Sequence, residues 1–393
     1  MKQNKIIAPA LILLFVLILS ACTSNSAMNN NNSSWPGMTV EDDILYTASG
    51  TSIEAVKDGQ KLWSYPETEG GRNAASYYAA PAVDDSYVYA GTFSNQLHIL
   101  NKADGSLAGQ IEVGNNKNKI LAAPILAEDS LIVLSSGGMV SSWPAGASAA
   151  PAANWQTTLS SELWVKPVCE NGTLYVASMD KKMNLLDLKS GEIKQVIDIS
   201  GAIMSDPVLQ DGKLYFSTLA NEVDEMDLTS GEIRPLLTTD NEIWAAPLLM
   251  GGKLIAADMN GVLYCVDEAS GNLDWKSEKL SAEKTGFIAS PIALDEQTIL
   301  VVDESGKAGT YDMSGKSVYQ RAIELSVYTT PIRLSNGSIV VLPMTGDGQI
   351  RAFTQDLKED WIYTRVQTSG NAEATATAEP AAAEPTQEQA KGE

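Results

Sequence analysis

The sequence predicts an all-β fold, namely an eight-bladed β-propeller in which each blade is a four-stranded antiparallel sheet. Two observations lead to this prediction. A proline opens a short apolar run eight times, at intervals of about 40 to 45 residues, and the same order of strand and turn signals follows each time. About 330 residues lie between two polar end segments. That length is normal for a ring of repeats that bury their faces against their neighbours.

Each repeat begins with a predicted hairpin. Its first strand starts at the proline and leads to a turn such as Asn171-Gly172, whose residue types adopt positive φ in tight hairpins. A second apolar strand follows, for example residues 174–176. The opening prolines are Pro36, Pro81, Pro124, Pro167, Pro207, Pro247, Pro291 and Pro331.

The third predicted strand ends on an aspartate that starts another turn. The pattern Asp-x-x-Ser-Gly follows this strand in three repeats and is shortened by one residue in the seventh. We expect the carboxylate to accept backbone N–H groups and the glycine to adopt positive φ. The aspartates are therefore interpreted as turn formers and not as catalytic residues. They are Asp187, Asp227, Asp267 and Asp312.

The fourth strand should carry a tryptophan four residues after that glycine. Trp63 and Trp275 satisfy this spacing, and Trp361 stands at the matching place of the last repeat. Proline has no N–H donor, so Pro235 at this position predicts that the fourth strand is a sheet edge. The third repeat has an insertion, residues 144–153, in place of the turn. The tryptophan is replaced in the other repeats by Gly109, Gln195, Pro235 and Tyr319.

This combination of strand, turn, strand, Asp-x-x-Ser/Thr-Gly and x-x-Trp resembles the PQQ-like repeat of quinoprotein dehydrogenases and of lipoprotein B of the Bam complex. The resemblance covers residues 35–366 and implies a PQQ-like β-propeller. Since the first and last repeats both look complete, we expect the ring to close by abutment of blades without strand exchange. The resemblance to the Bam lipoprotein implies a scaffold that docks on a membrane assembly machine and helps to deliver β-rich clients.

The resemblance to quinoprotein dehydrogenases does not extend to their chemistry. Those enzymes hold PQQ against a tryptophan and a disulfide between adjacent cysteines, and use calcium with an aspartate base. The three cysteines of this chain, Cys22, Cys169 and Cys265, are not adjacent, and no C-x-x-C-H haem motif is present. We therefore expect no cofactor and no enzymatic activity. Cys169 and Cys265 are interpreted as small buried strand residues and not as a disulfide.

Composition gives little support to metal, nucleotide or nucleic-acid binding. His98 is the only histidine and lies in an apolar strand pattern, so we interpret it as a strand residue and not as a zinc ligand or general base. The acidic turns at Asp303-Glu304 and at residues 346–348 offer too few oxygens for calcium. No phosphate-binding glycine motif is present. The net charge of −22 opposes binding to nucleic acid and to anionic lipid headgroups.

The amino-terminal end predicts export and lipid attachment. Two lysines precede an apolar run at residues 6–19, which is typical of a secretory signal. The run ends on Leu19-Ser20-Ala21-Cys22, which resembles the cleavage site of bacterial lipoproteins, so residues 1–21 are predicted to be a lipoprotein signal peptide and Cys22 the lipidated residue. The alternative is a plain secretory peptide cut after Ala21. The expected location is the cell envelope, at the outer face of either the cytoplasmic or the outer membrane.

Both segments that flank the repeats are poor in large apolar side chains. Residues 22–34 read as a flexible tether between the lipid and the propeller, which is assigned to residues 35–366. Residues 367–393 form an Ala/Glu/Thr/Pro-rich tail that we expect to be disordered.

The candidate binding residues come from their position in the repeat. Three residues before each proline after the first stands a large apolar side chain, and symmetry places the connecting loops around the axis on one face of the propeller. Two interpretations stay open, because these side chains either wedge between blades or form an exposed apolar ring that binds a partner. Residues 67–77 and 281–286 would rim the same face. The candidate ring comprises Tyr78, Leu121, Trp164, Met204, Trp244, Ile288 and Tyr328.

Three functions are compatible with this reading. The first is a non-enzymatic, membrane-anchored scaffold for protein–protein interaction in the bacterial envelope, with outer-membrane protein assembly as its concrete form. The second is a sensor that binds a small ligand or glycan in the funnel of the propeller, and the third is a degenerate quinoprotein that retains affinity for PQQ. The ring separates them, because a scaffold requires a broad apolar surface there.

Overall fold

The computed structural model describes residues 37–66, 74–77, 79–114, 118–147, 151–282, 285–344 and 349–365. The predicted signal peptide, the tether with Cys22, the carboxy-terminal tail, Pro36, Tyr78 and the turn at 346–348 lie outside these residues, as do parts of the two rim loops. No helix in the described ranges is long and apolar enough to cross a membrane.

The described residues form eight antiparallel sheets of four strands each, and each sheet uses strands that are consecutive in the chain. This is the predicted eight-bladed β-propeller. Blade 1 comprises β1 (Gly37–Glu41), β2 (Ile44–Ser49), β3 (Ser52–Lys57) and β4 (Gln60–Tyr65). Blade 2 comprises β5 (Ala82–Val83), β6 (Tyr87–Gly91), β7 (Gln96–Asn101) and β8 (Leu107–Glu112). Blade 3 comprises β9 (Ile125–Ala127), β10 (Ser130–Leu134), β11 (Met139–Pro144) and β12 (Trp155–Thr158). Blade 4 comprises β13 (Val168–Glu170), β14 (Thr173–Ser178), β15 (Lys182–Asp187) and β16 (Ile193–Asp198).

The second half of the ring repeats the same order. Blade 5 comprises β17 (Val208–Gln210), β18 (Lys213–Ser217), β19 (Glu222–Asp227) and β20 (Ile233–Thr238). Blade 6 comprises β21 (Leu248–Met250), β22 (Lys253–Ala257), β23 (Leu263–Asp267) and β24 (Leu273–Lys276). Blade 7 comprises β25 (Ile292–Ala293), β26 (Thr298–Val302), β27 (Lys307–Asp312) and β28 (Ser317–Ala322). Blade 8 comprises β29 (Ile332–Arg333), β30 (Ile339–Val341), β31 (Ile350–Phe353) and β32 (Glu359–Tyr363).

The core lies between blades. The second and third strands of each blade are almost entirely buried, and their side chains form eight apolar clusters, each built from two neighbouring blades. At the interface of blades 1 and 2, for example, Tyr46 and Ile53 pack with Tyr77 and Leu100. Because each blade buries both faces against its neighbours, the stability of each blade depends on the two blades beside it.

The ring closes by abutment of blade 8 against blade 1, as expected from the complete first and last repeats. The side chain of Glu54, in β3, is buried against Arg365, which follows β32, with Arg365 Nε 3.0 Å from Glu54 Oε1. Arg365 Nη2 donates to Glu54 Oε2 at 3.1 Å, and the Tyr363 hydroxyl donates to Oε1 at 3.1 Å. A further contact joins the same two blades, in which Ser335 donates its N–H to Asp43 at 2.9 Å.

The predicted turn-forming aspartates have that role. Asp187 accepts the N–H groups of Lys189 and Ser190 at 3.0 and 2.9 Å, and Asp227 repeats this arrangement. Asp267 accepts the N–H of Ser270, and Asp312, in the shortened turn, accepts those of Ser314 and Lys316. The glycines that follow adopt positive φ, for example +70° at Gly191. Because the N–H and hydroxyl of Ser230 both donate to Asp227, the pKa of this carboxyl is lowered.

An aromatic ring on the fourth strand joins neighbouring blades. Trp63 Nε1 donates to the Lys102 carbonyl of blade 2 at 2.9 Å, and the indole lies over Gly105, where an added Cβ would stand 2.4 Å from the ring. Trp155 and Trp275 repeat this contact at Gly191 and Gly315. Trp155 was not predicted, because the insertion at residues 144–153 hides its register in the sequence.

Arginine makes the equivalent link at two junctions that lack a docked tryptophan. Arg234 Nη1 donates to the Ala269 carbonyl at 2.8 Å, and Arg321 Nη1 donates to the Leu357 carbonyl at 2.6 Å. Pro235 lies exposed on β20, the outermost strand of blade 5, as predicted for a sheet edge. The fourth strands are therefore the perimeter of the propeller.

Candidate functional site

The loops that join one blade to the next place two successive side chains in different environments. The residue four before each proline is fully or almost fully buried between blades, and the next residue, the predicted ring position, is half-buried. The side chain that wedges between two blades is thus that of the residue before each ring position, and not that of the ring residue itself. These wedge residues are Tyr77, Ile120, Leu163, Ile203, Ile243, Phe287 and Val327. The half-buried ring members are Leu121, Trp164, Met204, Trp244, Ile288 and Tyr328, and Tyr78 lies outside the described residues.

Burial alternates along the loop that precedes the proline of blade 4. Leu163, Val165 and Pro167 are buried, whereas Trp164 and Lys166 are half-buried. Every second side chain of this loop is therefore buried, and the side chains between them are partly exposed.

Four ring members line one cavity. Met204, Trp244, Ile288 and Tyr328 surround an open cavity of about 550 Å³, which is lined by the loops that lead into blades 4 to 8. Leu121 and Trp164 are not part of its lining. The structure therefore brings together four of the six described ring members in one concave, mainly apolar surface.

Hydrogen bonds between loops hold this surface in place. The residue before the proline in one blade donates its N–H to the side chain of the matching residue in the next blade. The Lys166 N–H donates to Asp206 Oδ1 at 2.9 Å, the Ala246 N–H to Ser290 Oγ at 2.9 Å, and the Ser290 N–H to Thr330 Oγ1 at 3.0 Å. All five residues line the cavity. Neighbouring loops are thus linked directly, which limits rearrangement of the ring.

Two exposed carboxylates orient the two tryptophans. Trp164 Nε1 donates to Glu162 Oε2 at 2.8 Å, and Trp244 Nε1 donates to Glu242 Oε2 at 3.3 Å. Sequence reasoning did not single out these glutamates, although the repeated Glu-x-Trp pattern is a signal that could have identified them. The aromatic surface therefore carries negative charge beside it.

His98 lies in β7 as a buried strand residue, as predicted. The Tyr77 hydroxyl lies 2.7 Å from His98 Nδ1, and the ring of Tyr65 packs edge-on against the imidazole. Burial lowers the pKa of His98 to about 4, so the imidazole is neutral at pH 7. His98 does not line the cavity.

The other described residues that the sequence analysis considered for metal binding or a disulfide are part of the packed fold. Asp303 is buried and caps its turn, because its carboxylate accepts the N–H groups of Ser305 and Lys307 at 3.0 and 2.9 Å. Cys169 and Cys265 are free thiols, with Cys265 buried and Cys169 half-buried. Across the described ranges, no three His, Cys, Asp or Glu side chains converge in a way that could hold a metal ion.

Asp224, in β19, provides a pH-dependent prediction. Burial raises the pKa of the Asp224 carboxyl from 3.8 to about 6. The folded state therefore binds the carboxyl proton more tightly than the unfolded state does. As a result, the free energy of unfolding falls as the pH rises from about 4 to about 6. Replacing Asp224 with asparagine should raise the free energy of unfolding by up to about 3 kcal/mol at pH 8, and by about half as much near pH 5. Urea denaturation at the two pH values measures the difference.

The neighbouring blade supports this substitution. Asn184 stands at the matching position of β15, where its Nδ2 donates to the Val176 carbonyl at 3.1 Å and to Ser178 Oγ at 3.0 Å. Thr218 replaces Ser178 in blade 5, so an asparagine amide there has equivalent acceptors. A gain of the same size at both pH values would contradict the assignment of the cost to the ionised carboxylate.

Comparison with known proteins agrees with the fold and identifies the family. A family model described as outer membrane protein assembly factor BamB matches residues 23–195, 147–234 and 258–388. A protein of that name from Taylorella asinigenitalis is 31% identical over 108 residues, which are 27% of this chain and 26% of the relative. The aligned stretch thus spans about a quarter of that relative.

Solved structures share the architecture at low identity. The crystal structure of BamB from Moraxella catarrhalis superposes with a TM-score of 0.63 at 16% identity, covering 85% of this chain and 95% of that one. The computationally designed Ika8 protein superposes with a TM-score of 0.65 at 12% identity, covering 82% and 96%. At these identities the likeness concerns the fold alone. Because the family model matches most of the sequence, the chain belongs to the BamB family of PQQ-like β-propellers.

Proposed function

We propose that the chain is a non-enzymatic scaffold of the bacterial envelope, held at the outer face of a membrane by lipid on Cys22, that binds a protein partner through its apolar ring. The observation that carries this proposal is the cavity of about 550 Å³ around Met204, Trp244, Ile288 and Tyr328. In its concrete form, the partner belongs to the machinery that assembles outer-membrane proteins. The family of the chain and the name of its relatives support that form.

The chemistry of the ring suits a protein partner. Aromatic residues and methionine are enriched at the centres of protein interfaces, where large apolar side chains gain most from the loss of water. Hydrogen bonds to Glu162 and Glu242 hold the two tryptophans, so little side-chain entropy is lost on binding. The exposed carboxylates favour a partner surface with basic groups.

The lipid anchor rests on the sequence. Residues 19–22 resemble a lipoprotein cleavage site, and residues 23–34 separate Cys22 from the first strand of the propeller. A tether of this composition leaves the ring accessible to proteins at the membrane surface. Replacing Cys22 with serine is therefore expected to release the protein from membranes, which fractionation measures.

A glycan or small-molecule ligand is the second candidate. The indole of Trp244 lies beside Glu242, and Asp206 lines the same cavity. Aromatic faces next to carboxylates are a common way to bind sugars. Calorimetric titration with oligosaccharides, and with PQQ for the third hypothesis, would give saturable heats if the cavity is a ligand pocket.

The double substitution Trp164→Ala and Trp244→Ala tests the scaffold. We expect it to abolish copurification of the β-barrel assembly machinery from native membranes, because it removes the two largest side chains of the ring. Leu62→Ala, which truncates an exposed apolar side chain on β4, is the matched control and should not change copurification. Equal urea midpoints establish equal folding. Retention of the same partner by the double variant would rule out the ring as the docking face.

A further inference from the structure

Strongly exposed large apolar side chains have one location among the described residues. All of them lie on fourth strands, at the perimeter of the propeller. A fourth strand pairs on one side only, so its outer edge presents backbone N–H and C=O groups that can pair with another strand. These side chains are Leu62, Leu107, Ile193, Val196, Leu273, Val318, Tyr319 and Ile362.

Most blades protect this edge. Natural sheet proteins protect exposed edges with charged side chains, proline or very short strands. β12 has only four residues, and β20 carries the exposed Pro235. The other protected edges carry an exposed charged residue, namely Lys61, Glu112, Lys194, Asp274 and Glu359.

Blade 7 is the exception. In β28, Ser317 to Gln320 are all exposed and uncharged, and Val318 is the most exposed large apolar residue of the described chain, at 63%. The only charged residue, Arg321, points inwards, where it bonds to the Leu357 carbonyl at 2.6 Å and lies over the ring of Phe353. Within β28 itself, no exposed side chain is therefore charged, and the nearest exposed charges are Lys316 just before the strand and Lys358 of blade 8, which pairs with Asp356.

The neighbouring blade explains why Tyr319 is exposed. In the docked interfaces a glycine of the next blade leaves room for the aromatic ring, as Gly105 does for Trp63. Blade 8 has Leu357 at this place in its turn, with φ of +55°. A side chain there excludes a docked ring, so Arg321 makes the link and Tyr319 remains 45% exposed.

We infer that the edge of β28 is a second interaction site, which binds an extended strand of another polypeptide by adding it to the sheet of blade 7. The backbone groups require an extended occupant, and Val318 and Tyr319 favour apolar side chains along it. A bulge at Val318 interrupts the pairing between β27 and β28, whereas Tyr319 to Ala322 pair regularly with β27. An added strand would therefore pair with this regular stretch of β28. Self-association is opposed by the net charge of −22, which makes two copies repel. The occupant is therefore an unpaired strand of neutral or basic character from a different chain.

Comparison of blade 7 with blade 4 suggests a substitution that should leave the fold intact. Blade 4 has the same bulge, with Lys194 and Gln195 where blade 7 has Val318 and Tyr319. Lys194 also pairs with Asp187 at 2.9 Å, and Asp312 stands at the matching place in blade 7. The double substitution Val318→Lys and Tyr319→Gln thus copies a pair that the fold already uses.

The test uses a fluorescent peptide of alternating valine and threonine flanked by lysine. We expect saturable binding to the mature protein, weakened about tenfold or more by the double substitution and unchanged by Leu62→Lys, which alters the apolar bulge residue of β4. A peptide N-methylated at alternate residues should not bind, because it cannot pair with the edge. Equal affinity of wild type and double variant, retained binding of the methylated peptide, or no saturable binding to wild type would each overturn the inference.

Two further controls keep the conclusions separate. Sedimentation should show a monomer, and a dimer that the double substitution dissolves would mean that a second copy occupies the edge, which would overturn the assignment. The ring variant Trp164→Ala and Trp244→Ala should bind the peptide normally. The proposal for the β28 edge and the proposal for the docking ring can therefore be contradicted independently of each other.

Discussion

Replacing Arg365 with leucine should lower the free energy of unfolding by about 3–5 kcal/mol, because it leaves the buried carboxylate of Glu54 without its cation. Glu54 is only 1% exposed, and Tyr363 would be its remaining hydrogen-bond partner from blade 8. Breaking a buried pair costs more than the pair contributes, since the stranded charge keeps its desolvation penalty. Urea denaturation followed by far-ultraviolet circular dichroism measures the loss.

Two variants determine whether ring closure is responsible. Glu54→Gln in the Arg365→Leu background should restore part of the stability, because it removes the stranded charge. Lys358→Ala breaks a solvent-exposed pair with Asp356 and should leave the midpoint unchanged. If Arg365→Leu and Lys358→Ala have equally small effects, the clamp does not hold blade 8 on blade 1.

Gly105→Ala should destabilise the protein by about 3 kcal/mol. The new Cβ would lie 2.4 Å from Trp63 Cε3, so the indole must move and loses its bond to the Lys102 carbonyl. The backbone adds a cost, because φ is +71° at Gly105 and alanine tolerates this conformation poorly. Denaturation by urea gives the total effect.

Gly172→Ala separates the two contributions. Gly172 has φ of +69° but no atom within 4 Å of an added Cβ, so only the backbone cost of about 1 kcal/mol applies. The difference between the two variants, about 2 kcal/mol, is the contribution of the docked tryptophan. Equal losses would show that the contact between Trp63 and blade 2 contributes nothing beyond the turn conformation.

The sequence was informative where a feature depends on its position within the repeat. Prolines at regular spacing, turn aspartates such as Asp187 and the edge proline Pro235 all depend on local geometry, which repeats at the same register. Trp155 was missed because an insertion breaks that register. The ring position was found by its spacing, but only the structure shows that the preceding residue, such as Leu163, fills the space between blades.

Contacts between distant repeats could not be predicted. Glu54 and Arg365 are 311 residues apart, and neither belongs to the repeat pattern, so nothing in the chain near one indicates the other. Likewise, Tyr319 reads as a substitute for the docked tryptophan, and its exposure depends on Leu357 in the next blade. Both features arise from three-dimensional neighbours that a single repeat does not specify.

Photocrosslinking in native membranes tests the docking ring most directly. A photoreactive phenylalanine in place of Met204, which lines the cavity, should give a discrete crosslink to a component of the β-barrel assembly machinery. The same group in place of Leu62, on the perimeter, should not give that product. Crosslinking to this component from position 62 and not from position 204, with both proteins folded and membrane-bound, would contradict the assignment of the ring as the docking face.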